Sequence, residues 1–341
     1  MELARCQFLV FPATTCYQRF SNKSLGMGAS STRISNQITT NVLLPYAVAL
    51  TEALQLPRSL VDSLVSALLD ELYCRPARLA ARAPHLPASL VRRMGHTHST
   101  MLALATNFAA RALNHIYPGG GPVSTSLPLP TSEHFRFSHA FYRIELFYTL
   151  FLGHLFTNDA NCCFFRRQAP WENEQLGCVH GYLVAKLDQA LFDYFTGPVD
   201  PDDQDYLDIE LAQGVGFISR LTNARSRKGR LNILNGDIRA SLRDDANASL
   251  PEALCNSYSI NTIEISEELC DSVALDRYGQ SNDGDTDLGP YEVWRAANVG
   301  RRVSDSVMAD DNAWLRDRAY VLWDGDRVRK MGGFKKDGDE A

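Results

Sequence analysis

Apolar residues along this chain recur at three- and four-residue steps far more often than they alternate, which predicts helices rather than strands. The clearest stretch is PWENEQLGCVHGYLVAKLDQALFDYF, Pro170 to Phe195. Leu176, Val179, Leu183, Leu187, Ala190 and Tyr194 form one stripe on it, with Glu172, Lys186 and Asp188 mostly off the stripe. Pro170 suits a first helical position, where its missing N–H costs nothing. Glu172 and Glu174 put negative charge at the positive end of the helix dipole. Gly197 and Pro198 end the run. Upstream, Phe141, Ile144, Phe147, Tyr148, Phe151, Leu152 and Leu155 cover more than half of a helix surface, so a largely buried helix over 137–156 is expected to pack against 170–195.

The same periodicity places further helices. Leu60, Leu64, Leu68 and Leu72 keep a four-residue step in a helix entered at Pro57 and ended by Arg75-Pro76, and another helix runs from about Ser89 to Ile116. Pro118-Gly-Gly-Gly-Pro122 with Pro128 and Pro130 makes a loop. Leu207, Leu211, Val215, Ile218 and Leu221 form one more stripe, weakened by Gly214 and Gly216. A last unit holds Trp294, Trp314 and Trp323, with Tyr320, Val321 and Trp323 in a short strand or a helix end. The predicted fold is mainly α, a multi-helical globular domain with irregular loops. Its expected organisation is a poorly ordered Ser/Thr/Asn-rich segment over 1–40, an N-terminal helical region over 41–117, a Pro/Gly-rich loop over 118–131, a main helical domain over 132–334 and a polar tail over 335–341.

Composition narrows the class. With 341 residues, 45% hydrophobic and 22% charged, the chain reads as an ordinary soluble globular protein. A formal net charge of −6 leaves no general electrostatic footprint for nucleic acid. No apolar run approaches the roughly 20 residues of a membrane span, and no secretory leader stands at Met1–Pro12, so an intracellular protein, cytoplasmic or nuclear, is expected. Eight scattered cysteines do not resemble a disulfide framework, and reduced thiols follow. In that setting Asn22-Lys23-Ser24 and Asn247-Ala248-Ser249 are not glycosylated.

Chemistry is harder to find. The chain has no G-x-S-x-G, no phosphate-loop motif, no H-E-x-x-H and no G-x-G-x-x-G. Cys162, Cys163, Cys178 and His180 are ligand types that suit zinc, but adjacent cysteines diverge and residues at i and i+2 lie about 200° apart on a helix. Buried thiols and a helix-surface histidine are the expectation instead. His96 and His98 share a face only in an extended segment, and a capping or surface role is preferred. Asp283-Gly-Asp-Thr-Asp287 resembles the start of a calcium loop, yet Leu288 and Trp294 stand where glycine and glutamate are needed, so it reads as a solvated turn. RSRKGR, Arg225 to Arg230, reads as a basic loop. Arg143 and Glu145, inside the apolar helix, must find partners on their own helix or on the opposing PWENEQ segment, because an unpaired buried charge is costly. The expected polar network is Arg143, Glu145, Trp171, Glu172, Glu174 and His180, and an Arg143–Glu174 ion pair is the first contact looked for. No catalytic, metal or cofactor residues are assigned.

HAFYRIELFYTLF (139–151), PWENEQLGCVHGYL (170–183), LAQGVGFISRL (211–221), DLGPYEVW (287–294) and RAYVLWDGDRVRKMG (318–332) together resemble a family of uncharacterised fungal proteins, in that family's order. Some of its members are described as F-box-like, which implies an N-terminal helical adaptor docking on a ubiquitin-ligase scaffold subunit. Leu56-Pro57-Arg58-Ser59-Leu60-Val61 resembles the opening of that motif, with Ser59 in place of an acidic residue. Leu56, Pro57, Leu60 and Leu64 become the candidate adaptor contacts. The resemblance thus implies a non-enzymatic interaction or adaptor protein, with a protein partner. An enzyme or small-ligand binder using a cleft between 137–156 and 170–195 is the alternative.

Overall fold

The computed structural model describes residues 43–56, 62–116, 129–151, 164–195, 204–236, 249–258, 265 and 287–331. Among these residues there are fourteen α-helices and no β-strand, so the expected mainly α fold is what forms. In chain order they are α1 (Leu43–Ala53), α2 (Asp62–Cys74), α3 (Pro76–Ala80), α4 (Ala88–Ile116), α5 (Thr131–Phe151), α6 (Pro170–Phe195) and α7 (Gln204–Leu211). After these come α8 (Val215–Asn223), α9 (Arg227–Gly236), α10 (Leu250–Tyr258), α11 (Gly289–Asn298), α12 (Val303–Ser306), α13 (Ala313–Asp317) and α14 (Gly325–Lys330). The expected N-terminal segment 1–40, most of the Pro/Gly-rich loop and the polar tail lie outside the described residues.

Helix α5 is apolar on nearly every side and is therefore covered on several: α1, α4 and α6 all pack on it. Rings fill the contacts. Phe147, Phe151, Phe164 and Phe165 cluster at centroid separations of 5.1–6.0 Å, and Phe137 meets Trp323 at 5.0 Å. Each fully buried Phe is worth about 1.5–3 kcal/mol over an exposed one. One continuous apolar core runs from Leu43 to Val328, so α1 and α2 share their interior with α5 and α6 instead of closing on themselves.

Several elements depart from the expected pattern for identifiable reasons. Helix α5 starts at Thr131, well before 137, because its first turns carry Ser132, Glu133 and Arg136, whose polarity hides the period. Helix α6 starts at Pro170 as expected, but it is not one stripe: every residue from Pro170 to His180 is buried, and a half-open face begins only at Gly181. The cause is its neighbours, since α10, α11 and α13 as well as α5 pack on it. On α2 the buried stripe is Val65, Leu68, Leu69 and Leu72, while Leu64 is 43% exposed. The stripe expected over 207–221 is broken in two: Gly214, at φ +88°, turns the chain between α7 and α8, a left-handed conformation that favours glycine. RSRKGR is not a loop throughout, because α9 begins at Arg227.

Nor is 320–323 a strand. Helix α13 closes in a left-handed C-terminal turn, with the Tyr320 amide donating to Leu315 O at 3.3 Å and the Ala319 amide to Arg316 O at 2.9 Å. Ala319 takes φ +54° where glycine is usual. The turn drives Tyr320, Val321, Leu322 and Trp323 fully into the core, and Trp323 Nε1 donates to Arg318 O at 2.7 Å.

A polar knot at the start of α5 sets the C-terminal elements. Arg136 donates through Nη1 to Asp324 at 2.7 Å and through Nη2 to Asp287 at 3.0 Å, and Ser132 Oγ donates to Asp324 at 2.8 Å. Glu133 accepts from Arg327 Nε at 2.6 Å and from the Asp324 amide at 3.1 Å. Asp287, expected in a solvated turn, takes the amides of Gly289 and Gly325 at 3.0 and 3.1 Å. Burial works to raise its pKa, but those amides and Arg136 outweigh it and hold the carboxyl below its ordinary value. The two glycines touch: a Cβ on Gly289 would overlap the backbone nitrogen and Cα of Gly325. Backbone cannot rotate aside as a side chain can, so Gly289→Ala should cost about 3 kcal/mol. Urea unfolding checks this, and a loss below about 0.5 kcal/mol would refute the contact.

Candidate functional site

The polar segment at the head of α6 begins with its own cap. Glu172 Oε2 accepts the Ala169 amide at 2.9 Å, the backward half of a capping box. Asn173 follows. Its Nδ2 donates to Phe165 O at 2.8 Å and to the Tyr258 hydroxyl, and its Oδ1 accepts Arg143 Nη2 at 2.6 Å. Arg143, fully buried on α5, also donates to Glu172 O at 2.8 Å and lies 5.9 Å from the centroid of Phe164. The expected ion pair with Glu174 is absent, and among the described residues no carboxylate is paired with Arg143. A delocalised, weakly hydrated guanidinium tolerates neutral acceptors and an aromatic face better than an ammonium does.

Glu174 turns the other way. It accepts Arg316 Nη1 at 3.1 Å and the Met308 amide at 2.8 Å, with Tyr320 also against it. Burial pushes its carboxyl above the ordinary range, with Arg316 and the Met308 amide pulling back. Met308 holds φ +59°, and its Sδ sits so close to Gly177 that a Cβ there would strike it. Glu145, half-buried on α5, accepts the Val215 amide at 2.7 Å. That amide opens α8, whose N-cap Gly214 has no side chain to offer, so Glu145 caps a helix 70 residues away.

His180 is not on the surface as expected. It is 5% exposed, with Nε2 3.4 Å from Asp208 Oδ1, and it joins α6 to α7. Cys178 faces elsewhere on the helix, and burial pushes its thiol well above the ordinary value. Trp171 packs on Tyr291 at 4.9 Å and Trp294 at 6.1 Å, which seats α11 on α6. His96 and His98 stand on α4 and not in an extended segment; His98 is buried, with Nδ1 3.0 Å from the Tyr142 hydroxyl. Leu56 is half-buried and Leu64 exposed, whereas Pro57 and Leu60 lie outside the described residues, as do Cys162 and Cys163.

Of the six polar-network candidates, Arg143 and Glu172 meet. Glu145, Trp171, Glu174 and His180 fan out to α8, α11, the 308–316 segment and α7. Sequence reasoning missed Asn173, Arg316 and the Ser132–Glu133–Arg136 group. One signal was available: Ser132, Arg136, His139 and Arg143 recur at helical steps of four, three and four, a polar stripe on an otherwise apolar helix. Among the described residues no group of three or more His, Cys, Asp or Glu side chains could hold a metal, and no helix is long and apolar enough to cross a membrane. A scan against protein-family models and searches of curated proteins and of solved structures each return no match for this chain.

Because the folded state holds Glu174's proton more tightly than the unfolded chain does, stability tied to it is full below the ordinary carboxyl value of 4.5 and is lost as pH rises toward the raised native value. Glu174→Gln removes that dependence. Across this window the unfolding free energy of the variant should climb relative to the unaltered protein as pH rises, then level off. Urea unfolding at a series of pH values reads the slope, and a difference that falls with pH would refute the assignment.

Proposed function

We propose that this chain is a non-enzymatic interaction protein, an F-box-like adaptor whose segment 56–64 docks on a ubiquitin-ligase scaffold subunit. The observation that carries the reading is Leu64, which is 43% exposed on α2. The opposite face of α2 is spent in the core through Val65, Leu68, Leu69 and Leu72, so Leu64 is free for a partner. It stands three positions beyond the end of Leu56-Pro57-Arg58-Ser59-Leu60-Val61.

The helix that bears it is braced. Arg82 bridges Glu52 of α1 at 2.8 Å and Glu71 of α2, and Arg167 pairs with Asp70. A fixed support lowers the ordering cost of docking. An adaptor of this kind works inside the cell, in cytoplasm or nucleus. The alternative, a catalytic or ligand site between α5 and α6 using Arg143, Glu145, Glu174 and His180, draws little support, because these side chains already hold backbone or neighbouring side chains.

Leu64→Asp should leave the melting temperature within a degree or two, since the side chain lies outside the core, and should weaken capture of the scaffold subunit at least about tenfold; Leu60→Asp should weaken it similarly. Co-precipitation with purified scaffold subunit measures this. Capture that neither substitution changes, or no capture at all, removes the adaptor reading.

A further inference from the structure

Phe108 of α4 stacks on Tyr182 of α6, with centroids 4.5 Å apart. One turn further along each helix stand Arg111 and Lys186. Lys186 Nζ is 5.6 Å from the centroid of the Tyr182 ring, and Arg111 Nε approaches His115 Nε2 at 3.5 Å. Burial first, and then the charge of Arg111, push the Lys186 amine below its ordinary value. Among the described residues no carboxylate is paired with either. The Tyr182 hydroxyl is buried there with no hydrogen-bond partner among the described residues.

Three neighbouring helices repeat the imbalance, while α7, which also packs on α6 and α8, carries Asp205, Asp208 and Glu210. Helix α8 packs on both α4 and α6, and α9 packs on α6 and α8. Helices α4, α8 and α9 contain no Asp or Glu at all, although the chain as a whole has 40 acidic residues against 34 Lys and Arg. Arg227 and Lys228 add positive charge to α9. On α6 itself Asp188 is two residues from Lys186, about 200° around the helix. Arg82, Arg136 and Arg316 have carboxylates of this chain at hand, whereas the fully buried Arg143 is held by neutral acceptors. Among the described residues Arg111 and Lys186 have no carboxylate partner.

We propose that Arg111 and Lys186 form an oxyanion site at the junction of α4 and α6, taking the phosphate or carboxylate group of a small ligand, with the Tyr182 hydroxyl as a third donor. The planar fork of Arg111 and the point charge of Lys186 are complementary means of holding such a group, and an anion between them turns repulsion into two charge-assisted hydrogen bonds. The site is independent of the adaptor reading and lies on different helices from Leu64.

Thermal melting of the full chain in sodium phosphate, sodium acetate and sodium chloride at equal ionic strength tests it. Binding to the folded state alone raises the melting temperature, so phosphate or acetate should raise it above chloride in a saturable way, and the effective ion identifies the group. Arg111→Gln and Lys186→Gln should melt in chloride no lower than the unaltered protein and displace the anion midpoint at least about tenfold, while Lys186→Arg should keep the effect. Tyr182→Phe, which retains the stack, should weaken it. Melting that neither anion raises above chloride, or a rise that survives Lys186→Gln, would overturn the site. A Lys186→Gln protein that melts far lower in chloride would assign the lysine to the fold and overturn it equally.

Discussion

Arg136 stands in the core with 1% of its surface exposed, and a charge buried that deeply must be matched where it sits. Asp324 and Asp287 match it, and removing one member of such a pair costs about 3–5 kcal/mol. Asp324 stands immediately before α14 and Asp287 just before α11, so one guanidinium on α5 fixes where two distant helices begin. The remaining contacts follow from that placement: Gly289 lies on Gly325, Trp323 reaches Phe137, and Arg327 finds Glu133.

The head of α6 obeys the same constraint by other means. Its polar residues look like a concentration of chemistry, yet they serve mainly backbone. Glu172 takes the amide of Ala169, Glu174 that of Met308, and Gln175 donates to Val321 O at 3.0 Å. On α5, Glu145 takes the amide of Val215. Turns and short helices lack enough internal hydrogen bonds, and long-range side chains satisfy what is left over. This explains why a segment so rich in Glu, Asn, Gln and His is buried on every side.

Local signals in the sequence were legible where their cause is local. Pro170 marked the start of α6 correctly, because a first-turn proline acts through its own backbone, and the apolar faces of α5 and α6 followed from spacing alone. Of the leucines that marked α2, Leu68 and Leu72 lie on its buried stripe and Leu64 does not, since a strict four-residue step drifts about 40° per repeat around a 3.6-residue helix, and Val65 and Leu69 complete the inner face. The early start of α5 was hidden because Ser132, Glu133 and Arg136 are tolerated there only through partners near the other end of the chain. The break at Gly214 showed as weakened propensity, without the left-handed φ that makes it a turn. For the polar network, the sequence marked Arg143 as a charge that needs a partner if buried, but not what the partners are: Arg143 goes to Asn173, and Glu174 goes to Arg316.

The knot at Arg136 also bears on the order in which the molecule is made. Its hydrogen bonds to Asp324, and those of Glu133 to Arg327, join residues 188 to 194 positions apart. During synthesis, α5 leaves the ribosome with an arginine and a glutamate on its first turns long before their counterparts exist. Those turns cannot sink into an apolar interior while unmatched, so closure around them is a late, long-range event. The buried charge therefore reports completion: α5 can settle at its N-terminal end only when the chain has been translated through Arg327, and an unfinished chain keeps that end in water, with Phe137 beside it for chaperones and proteases to meet.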